Sequence, residues 1–411
     1  MLLSLHFQML LQMLVPVSFG HGASFGATAV SVLPADPAEI WVLTDGWGLA
    51  HTTDGGASWG WLCEEALGGA DLYGVLATGP GTAVVATRSG LRTVAADCTT
   101  TLQPGVPEGT YFPAVTGYGA RWLALGIAGD AGGVWSCDAD GCAATELMAP
   151  GLFPKSALTD GTRAWVTVVY VDTLASELWR SDDGVAWTLA HAWPDGDTDP
   201  RVLRAEGDRL LVWRRTRTAD DTPELLVSDD GGTTFTSTFE TGWYTDSTPG
   251  LLTLDGALLL GSVQGARTWR SEDDGGTWAE VSADVPAVRC GGTVGGVGYA
   301  CGDHLQDGFD LSSTTDGHTW TPLACLEDTL PAACASATCD PLLSAWQVAG
   351  SYGGGQCDTI IVPPVVEEEA TTCGCGGSGA ETGVAGLLMG LAGLRRRRAP
   401  QGPKAQGPKK A

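Results

Sequence analysis

Ser271-Glu272-Asp273-Asp274-Gly275-Gly276-Thr277-Trp278 is one copy of a short string to which the chain returns again and again. The other clear copies are Thr52-Thr53-Asp54-Gly55-Gly56-Ala57-Ser58-Trp59, Ser181-Asp182-Asp183-Gly184-Val185-Ala186-Trp187, Ser228-Asp229-Asp230-Gly231-Gly232-Thr233-Thr234-Phe235 and Thr314-Thr315-Asp316-Gly317-His318-Thr319-Trp320. Ser136-Cys137-Asp138-Ala139-Asp140-Gly141 is a worn copy. The anchoring aspartates stand at 54, 138, 183, 230, 273 and 316, so the later gaps are 45, 47, 43 and 43 residues and the first is 84. That first gap holds two periods, and the eroded copy falls at residues 90–97, ending on Asp97. Seven units of roughly 40–50 residues predict propeller blades or a solenoid.

The stretches between the boxes choose between them. Two short β-rich runs precede each box, such as Ile40-Trp41-Val42-Leu43 with Gly48-Leu49-Ala50-His51. Residues 164–169 with 177–180, and 257–261 with 268–270, repeat the arrangement. They are rich in Val, Leu and Trp and are bounded by turn formers. No amphipathic helical pattern of useful length interrupts them. The expected fold is all-β, a seven-bladed β-propeller of four-stranded antiparallel sheets over residues 23–325. Each box then sits where one strand turns back into the next. Its aspartate (Asp54, Asp138, Asp183, Asp230, Asp273, Asp316) accepts backbone N–H groups and staples the turn. Its aromatic (Trp59, Trp187, Phe235, Trp278, Trp320) enters the space between adjacent sheets. These residues are read as structural, not catalytic.

The S/T-x-D-x-G-x-T/S-W pattern resembles the Asp-box (BNR) repeat of sialidase-like propellers, and the resemblance covers roughly residues 27–325. It speaks to the fold more than to the activity, since one scaffold carries many functions. A sialidase of this class implies an arginine triad, a Tyr–Glu nucleophile pair, an acid/base Asp and a Phe/Tyr-Arg-Ile-Pro motif. The nearest strings, Tyr111-Phe112-Pro113 and Leu152-Phe153-Pro154, lack the arginine. Arg180 and Arg270 alternate with Trp just ahead of their boxes, which predicts a third-strand position away from any central pocket.

The termini point to export. Residues 1–22 are almost wholly apolar up to Val17 and end in small residues, as in a secretory signal, although no Lys or Arg precedes Arg88. Residues 326–361 form a Cys-rich closing segment and 362–372 an acidic spacer. Cys373-Gly374-Cys375 is followed by the apolar run 384–394 and by four arginines, Arg395 to Arg398. This order resembles the myxobacterial C-terminal sorting signal (MYXO-CTERM). The resemblance implies a surface protein processed by a sorting peptidase, with Cys373 or Cys375 at the processing or lipid-attachment point; a plain tail anchor is the other reading. In either case the membrane is reached only through the C-terminal segment.

Twelve cysteines fit an oxidising compartment. Cys137 and Cys142 flank the worn box, and a bridge there would replace its lost staple. Cys290 and Cys301 flank a Gly-rich turn. Cys63 and Cys98 occupy equivalent points of successive units. The pairing of Cys325, Cys334, Cys339 and Cys357 is open. The formal net charge is −26, and seven of the 22 basic residues follow residue 394, so the body is more acidic still. Such a surface repels nucleic acid and anionic membranes.

One acidic stretch, Asp195, Asp197 and Asp199 with Glu206 eleven residues after the first, has the spacing of a calcium loop, with Pro200 where the sharp turn wants Gly. No other cofactor is expected. Residues 171–176, 216–222 and 303–310 are longer connections, the places where binding residues tend to sit. The reading that combines these features is an exported, surface-attached propeller acting as a non-catalytic binding or adhesion module for a glycan or protein. A secreted sialidase-like glycoside hydrolase and a structural envelope component are the alternatives.

Overall fold

A computed structural model describes residues 27–325, apart from 45–47, 69–70, 194–197, 217–222, 241–248, 262–266, 283–284 and 303–306, together with Cys339. The leader at 1–22, the acidic spacer, Cys373 and Cys375 lie outside the described residues, as do Asp195 and Asp197.

Seven four-stranded antiparallel sheets follow one another along the chain, each built from four consecutive strands. They occupy residues 27–62, 72–102, 111–150, 152–193, 198–240, 250–280 and 290–324. First strands of successive blades lie side by side, and that of the last blade, Cys290–Val294, lies beside that of the first, Ala27–Leu33. The ring therefore closes, and the repeat builds a propeller rather than a solenoid. A single 3-10 turn, Glu64–Leu67, follows the first blade.

Burial follows radial position. The second strands are nearly continuous buried runs: Ile40 to Thr44, Ala83 to Thr87, Ala164 to Val169 and Ala257 to Gly261. Such a strand has hydrogen-bonded neighbours on both edges and another blade on each face, so all its side chains meet apolar surface. Trp41, Trp165 and Trp213 fill these positions and are essentially buried. Fourth strands form the outer rim and are mostly exposed, as in Thr236–Glu240. First strands have one unpaired edge, whose N–H groups need partners. Hydroxyls from neighbouring blades supply some of them. Ser31 Oγ accepts the Ala77 amide at 2.9 Å, Ser156 Oγ that of Val202 at 2.9 Å and Thr293 Oγ1 that of Thr253 at 3.1 Å.

The register explains two disulfides. Cys137 stands directly opposite Cys142, and Cys290 directly opposite Cys301, across antiparallel pairs. Their Cα atoms are 4.0 and 5.0 Å apart, and both pairs are bonded. Cys63 is bonded to Cys339 rather than to a neighbouring-blade cysteine. Cys98 and Cys325 are also disulfide-bonded.

Candidate functional site

Every box lies between the third and fourth strands of its blade, including the eroded one at Asp97. In an antiparallel blade that turn shares one end of the barrel with the first-to-second turns. The second-to-third connections and the blade-to-blade links emerge at the opposite end. Two layers of hydrogen bonds hold each clear box. The hydroxyl two residues before the Asp is buried and accepts a loop amide: Thr52 from Gly56, Ser181 from Gly184, Ser228 from Gly232, Ser271 from Gly275 and Thr314 from Gly317, at 2.8–3.1 Å. The Asp side chain is exposed and accepts the next amides, such as Thr234 N to Asp230 at 2.8 Å and Thr277 N to Asp273 at 2.7 Å. These bonds hold the carboxyls of Asp54, Asp230, Asp273 and Asp316 down at about 2. The hydroxyl of Ser58 contributes most at Asp54, and the amides of Thr234, Thr277 and Thr319 do so at the others. In the worn box Asp138 accepts the Asp140 amide, and the Cys137–Cys142 bridge ties the same turn.

The box aromatics are half-buried rather than engulfed, because they sit at the rim and each reaches back to the preceding blade. Trp59 Nε1 donates to the Leu323 carbonyl at 2.9 Å, which joins the first blade to the last. Trp187 Nε1 donates to Thr145 Oγ1. Phe235 packs on His191 and Trp193, Trp278 on Phe239, and Trp320 on the core cluster that holds Leu252, Leu254 and Leu259 of blade six. Arginines on the third strands reach forward: Arg270 Nη1 donates to the Asp316 carbonyl of the next box at 3.1 Å. The box end is thus a stitched structural girdle.

Two open clefts lie on this girdle. One, of about 420 Å³, surrounds Asp138, Asp140 and Arg121 beside the worn box. The other, of about 530 Å³, lies between blades five and six. Its two arginines are engaged: Arg204 pairs with Asp274 and Glu206, and Arg209 with Asp229 and Asp274. Asp274 occupies the left-handed turn position (φ 60°) where the other boxes carry Gly55, Gly184, Gly231 and Gly317 (φ 72–74°). The ion pairs hold an acidic residue where the backbone favours glycine. Asp274→Gly and Asp274→Ala remove the same ion pairs, but only Ala retains the left-handed penalty. Asp274→Ala is therefore expected to unfold about 1 kcal/mol more easily than Asp274→Gly in urea; equal midpoints would place no strain at this residue.

Of the four residues with calcium-loop spacing, Asp199 and Glu206 are described, and they stand apart. Asp199 and Glu206 stand near opposite ends of one strand, Thr198–Glu206. Seven residues of extended chain separate them by roughly 23 Å. Glu206 is paired with Arg204 and Asp199 with other cations, so the two cannot share one ion. Among the described residues no group of three or more potential metal ligands converges.

The opposite end of the ring has a different character. Asp199 is buried, and Lys155 Nζ, Arg201 Nε and Arg215 Nη2 lie 3.3–3.4 Å from its oxygens. Arg201 also donates to the Lys155 carbonyl at 3.1 Å, and Lys155 Nζ lies over the Phe153 ring at 4.7 Å. Burial alone would raise the Asp199 carboxyl, but Arg201, Lys155 and Arg215 outweigh it and hold it below the ordinary range. Lys155 and Arg201 are the fourth residues of the first strands of blades four and five, so the repeat places them side by side around the axis. Tyr73 and Tyr111 face each other edge-on at 4.9 Å on the first strands of blades two and three. Arg88 and the Tyr73 hydroxyl both meet Asp71. The Tyr111 phenol is raised chiefly by burial and drawn back by Tyr73 and by the charge of Arg201. The connection 171–175 joins the second and third strands of blade four and emerges at this same end.

Tyr170 and Glu177 form a further pair here, at 2.9 Å. Glu177 also accepts Trp179 Nε1, and burial with that carboxylate pushes the phenol up to about 12. Sequence reasoning did not single out Lys155, Arg201 and Arg215 as a group, nor Tyr170 with Glu177. The signal for the first was the repeat itself: aligning the boxes aligns the first strands and brings Lys155 level with Arg201.

No family model and no curated protein matches the chain. Among solved structures it is similar to hydrazine synthase of Kuenenia stuttgartiensis, at 10% identity over 74% of this chain and 99% of that one, with a TM-score of 0.50. It is similar to an ancestral GH74 enzyme at 14% identity over 72% of this chain and 47% of that one, TM-score 0.48. It is also similar to YCF48 bound to a D1 peptide, at 13% identity over 69% and 90%, TM-score 0.47. At these identities the likeness is one of fold alone.

Proposed function

We propose that this is an exported, surface-attached propeller of the Asp-box type that binds an acidic glycan or an acidic protein segment at the ring mouth opposite the boxes. The observation that carries it is the convergence of Lys155, Arg201 and Arg215 on the mouth of a body dominated by carboxylates. Cations gathered in a concave, partly desolvated place steer and hold an anionic group. Tyr73, Tyr111 and Phe153 add flat apolar surface beside it. Export and tethering draw their support from the apolar leader, the disulfides and the Cys-Gly-Cys, apolar, Arg order of the tail. On that reading a sorting peptidase removes Arg395–Arg398 and leaves the body attached near Cys373, beyond the acidic spacer.

The test is a glycan array with acidic and neutral members, run beside acidic peptides. Lys155→Ala with Arg201→Ala is expected to weaken the retained ligand at least tenfold, while Asp138→Ala on the far face leaves it unchanged. Equal loss in both variants, or retention of neutral glycans only, overturns the reading. A glycoside hydrolase is the second reading, and Tyr170 with Glu177 is the observation that favours it. A phenol raised to about 12 is a poor nucleophile, so the binding reading leads. Turnover of a fluorogenic glycoside that Tyr170→Phe abolishes would reverse that order.

A further inference from the structure

Five blades carry an aromatic at one fixed place in the pairing of their outer strands. The pairs nearest the box are His51 with Gly60, Arg180 with Thr188, Val227 with Thr236, Arg270 with Ala279 and Ser313 with Thr321. One step further, the third strand ends on the buried hydroxyl residue Thr52, Ser181, Ser228, Ser271 or Thr314. On the fourth-strand side that step is Trp59, Trp187, Phe235, Trp278 or Trp320. The aromatic therefore stands across from the box hydroxyl and leans on the preceding blade.

Blade three keeps the place but lacks the aromatic. The residue two before its box aspartate is Ser136, and Ser136 pairs with Ala143. Ala143 is exposed, and Ser136 is half-buried where its five counterparts are buried. Both line the cleft of about 420 Å³ beside the worn box, with Pro104 and Gly105 on the side of blade two. Val185, an apolar side chain 39% exposed, lines it from blade four. The Cys137–Cys142 bridge ties this turn, so the place stays open in a folded blade. Blade two, whose box is also eroded, differs: beside its Ala95 the space is about 30 Å³, with Trp61 of blade one on its wall.

We infer that the cleft at Ala143 is an aromatic seat that a protein partner fills with a Trp or Phe side chain flanked by lysine or arginine. The molecule itself supplies the argument for the ring, since five equivalent places each hold an indole or a phenyl group against the preceding blade. An aromatic anchor in a pocket carries a large share of the energy of a protein contact. Charge sets its neighbours. The charged groups of the cleft are Asp138, Asp140 and Arg121, two carboxylates against one guanidinium. The same end of the ring presents the exposed box aspartates of the other six blades, a field that draws a basic segment in. This seat lies at the opposite end from the mouth, and the inference does not depend on what binds there.

The test is isothermal titration calorimetry on the full chain with the blocked peptide Lys-Trp-Lys, beside Lys-Ala-Lys and Glu-Trp-Glu. Lys-Trp-Lys is expected to bind roughly tenfold or more tighter than either control, as one aromatic anchor with matched charge requires. Ala143→Trp fills the seat from within, so it is expected to abolish that binding and to leave the melting temperature equal or higher. Ala143→Lys changes an exposed residue, puts a cation in the seat, and is expected to weaken binding by a similar factor; it decides the matter alone if Ala143→Trp does not fold. Lys155→Ala with Arg201→Ala, at the mouth, leaves Lys-Trp-Lys unaffected. Absence of Lys-Trp-Lys binding up to millimolar peptide overturns the inference. So does equal binding of either control, binding that persists in the Ala143 variants, or binding lost with the mouth variant.

Discussion

Asp199→Ala is expected to lower the unfolding free energy by about 3 kcal/mol, measured as a shift in the urea midpoint at constant slope. The carboxylate is buried and lies within 3.4 Å of three cationic side chains from two blades. Removing it leaves those cations facing one another in a place poor in water, and like charges so held repel. Asp199→Asn keeps the shape and one acceptor but loses the charge, so it falls between the two. Sulfate supplies an anion to the same pocket. Because a ligand of the native state stabilises by mass action, it is expected to restore part of the lost melting temperature in Asp199→Ala and less in wild type. An Asp199→Ala protein as stable as wild type would show that the cations do not depend on this carboxylate.

The second large effect is on acid stability. Asp54, Asp230, Asp273 and Asp316 are held at about 2 in the folded ring; Asp97 is also depressed, chiefly by the Thr99 hydroxyl and then its amide, and Asp183 by the amides of Val185 and Ala186. In the unfolded chain the same groups titrate at about 3.9. A folded value below the unfolded one means that the unfolded chain binds the proton first. The contribution is complete above about pH 4 and is lost as pH falls toward 2. The melting temperature is therefore expected to be flat from pH 7 to 5 and to fall steeply between 4 and 2. Asp230→Asn is expected to blunt that fall, because one such carboxyl no longer titrates. The six groups are exposed, so added salt weakens the effect. A melting temperature independent of pH down to 2 would show that the boxes do not staple their turns.

Much of the architecture was legible because it is periodic. A box every 43 to 47 residues, with two β runs before it, allows few ways to bury seven sheets. The cross-strand pairs Cys137–Cys142 and Cys290–Cys301 were legible for a similar reason: each is local, and hairpin geometry joins residues close in sequence. The buried hydroxyl that begins each box was present in the pattern but gave no sign of its burial, since a Ser or Thr reads alike whether it faces water or a loop amide. The box aromatics read as buried, and their position on the rim left them half-exposed.

Asp199 and Glu206 show how little linear spacing says about distance. Their interval suits a loop, yet residues 198–206 are extended, and extension carries Asp199 and Glu206 to different ends of the ring with different arginine partners. Cys63 and Cys339 show the converse, a contact that no spacing announces because 276 residues of chain intervene. By itself the sequence determined the class of fold, the number of blades, the turn that each box makes and the disulfides between facing strands. All of these follow from interactions within one repeat, and the chain states them up to seven times. The tertiary structure alone decided which cations meet Asp199 and what fastens the last blade to the first. Those are contacts between repeats, and they exist only once the ring has closed.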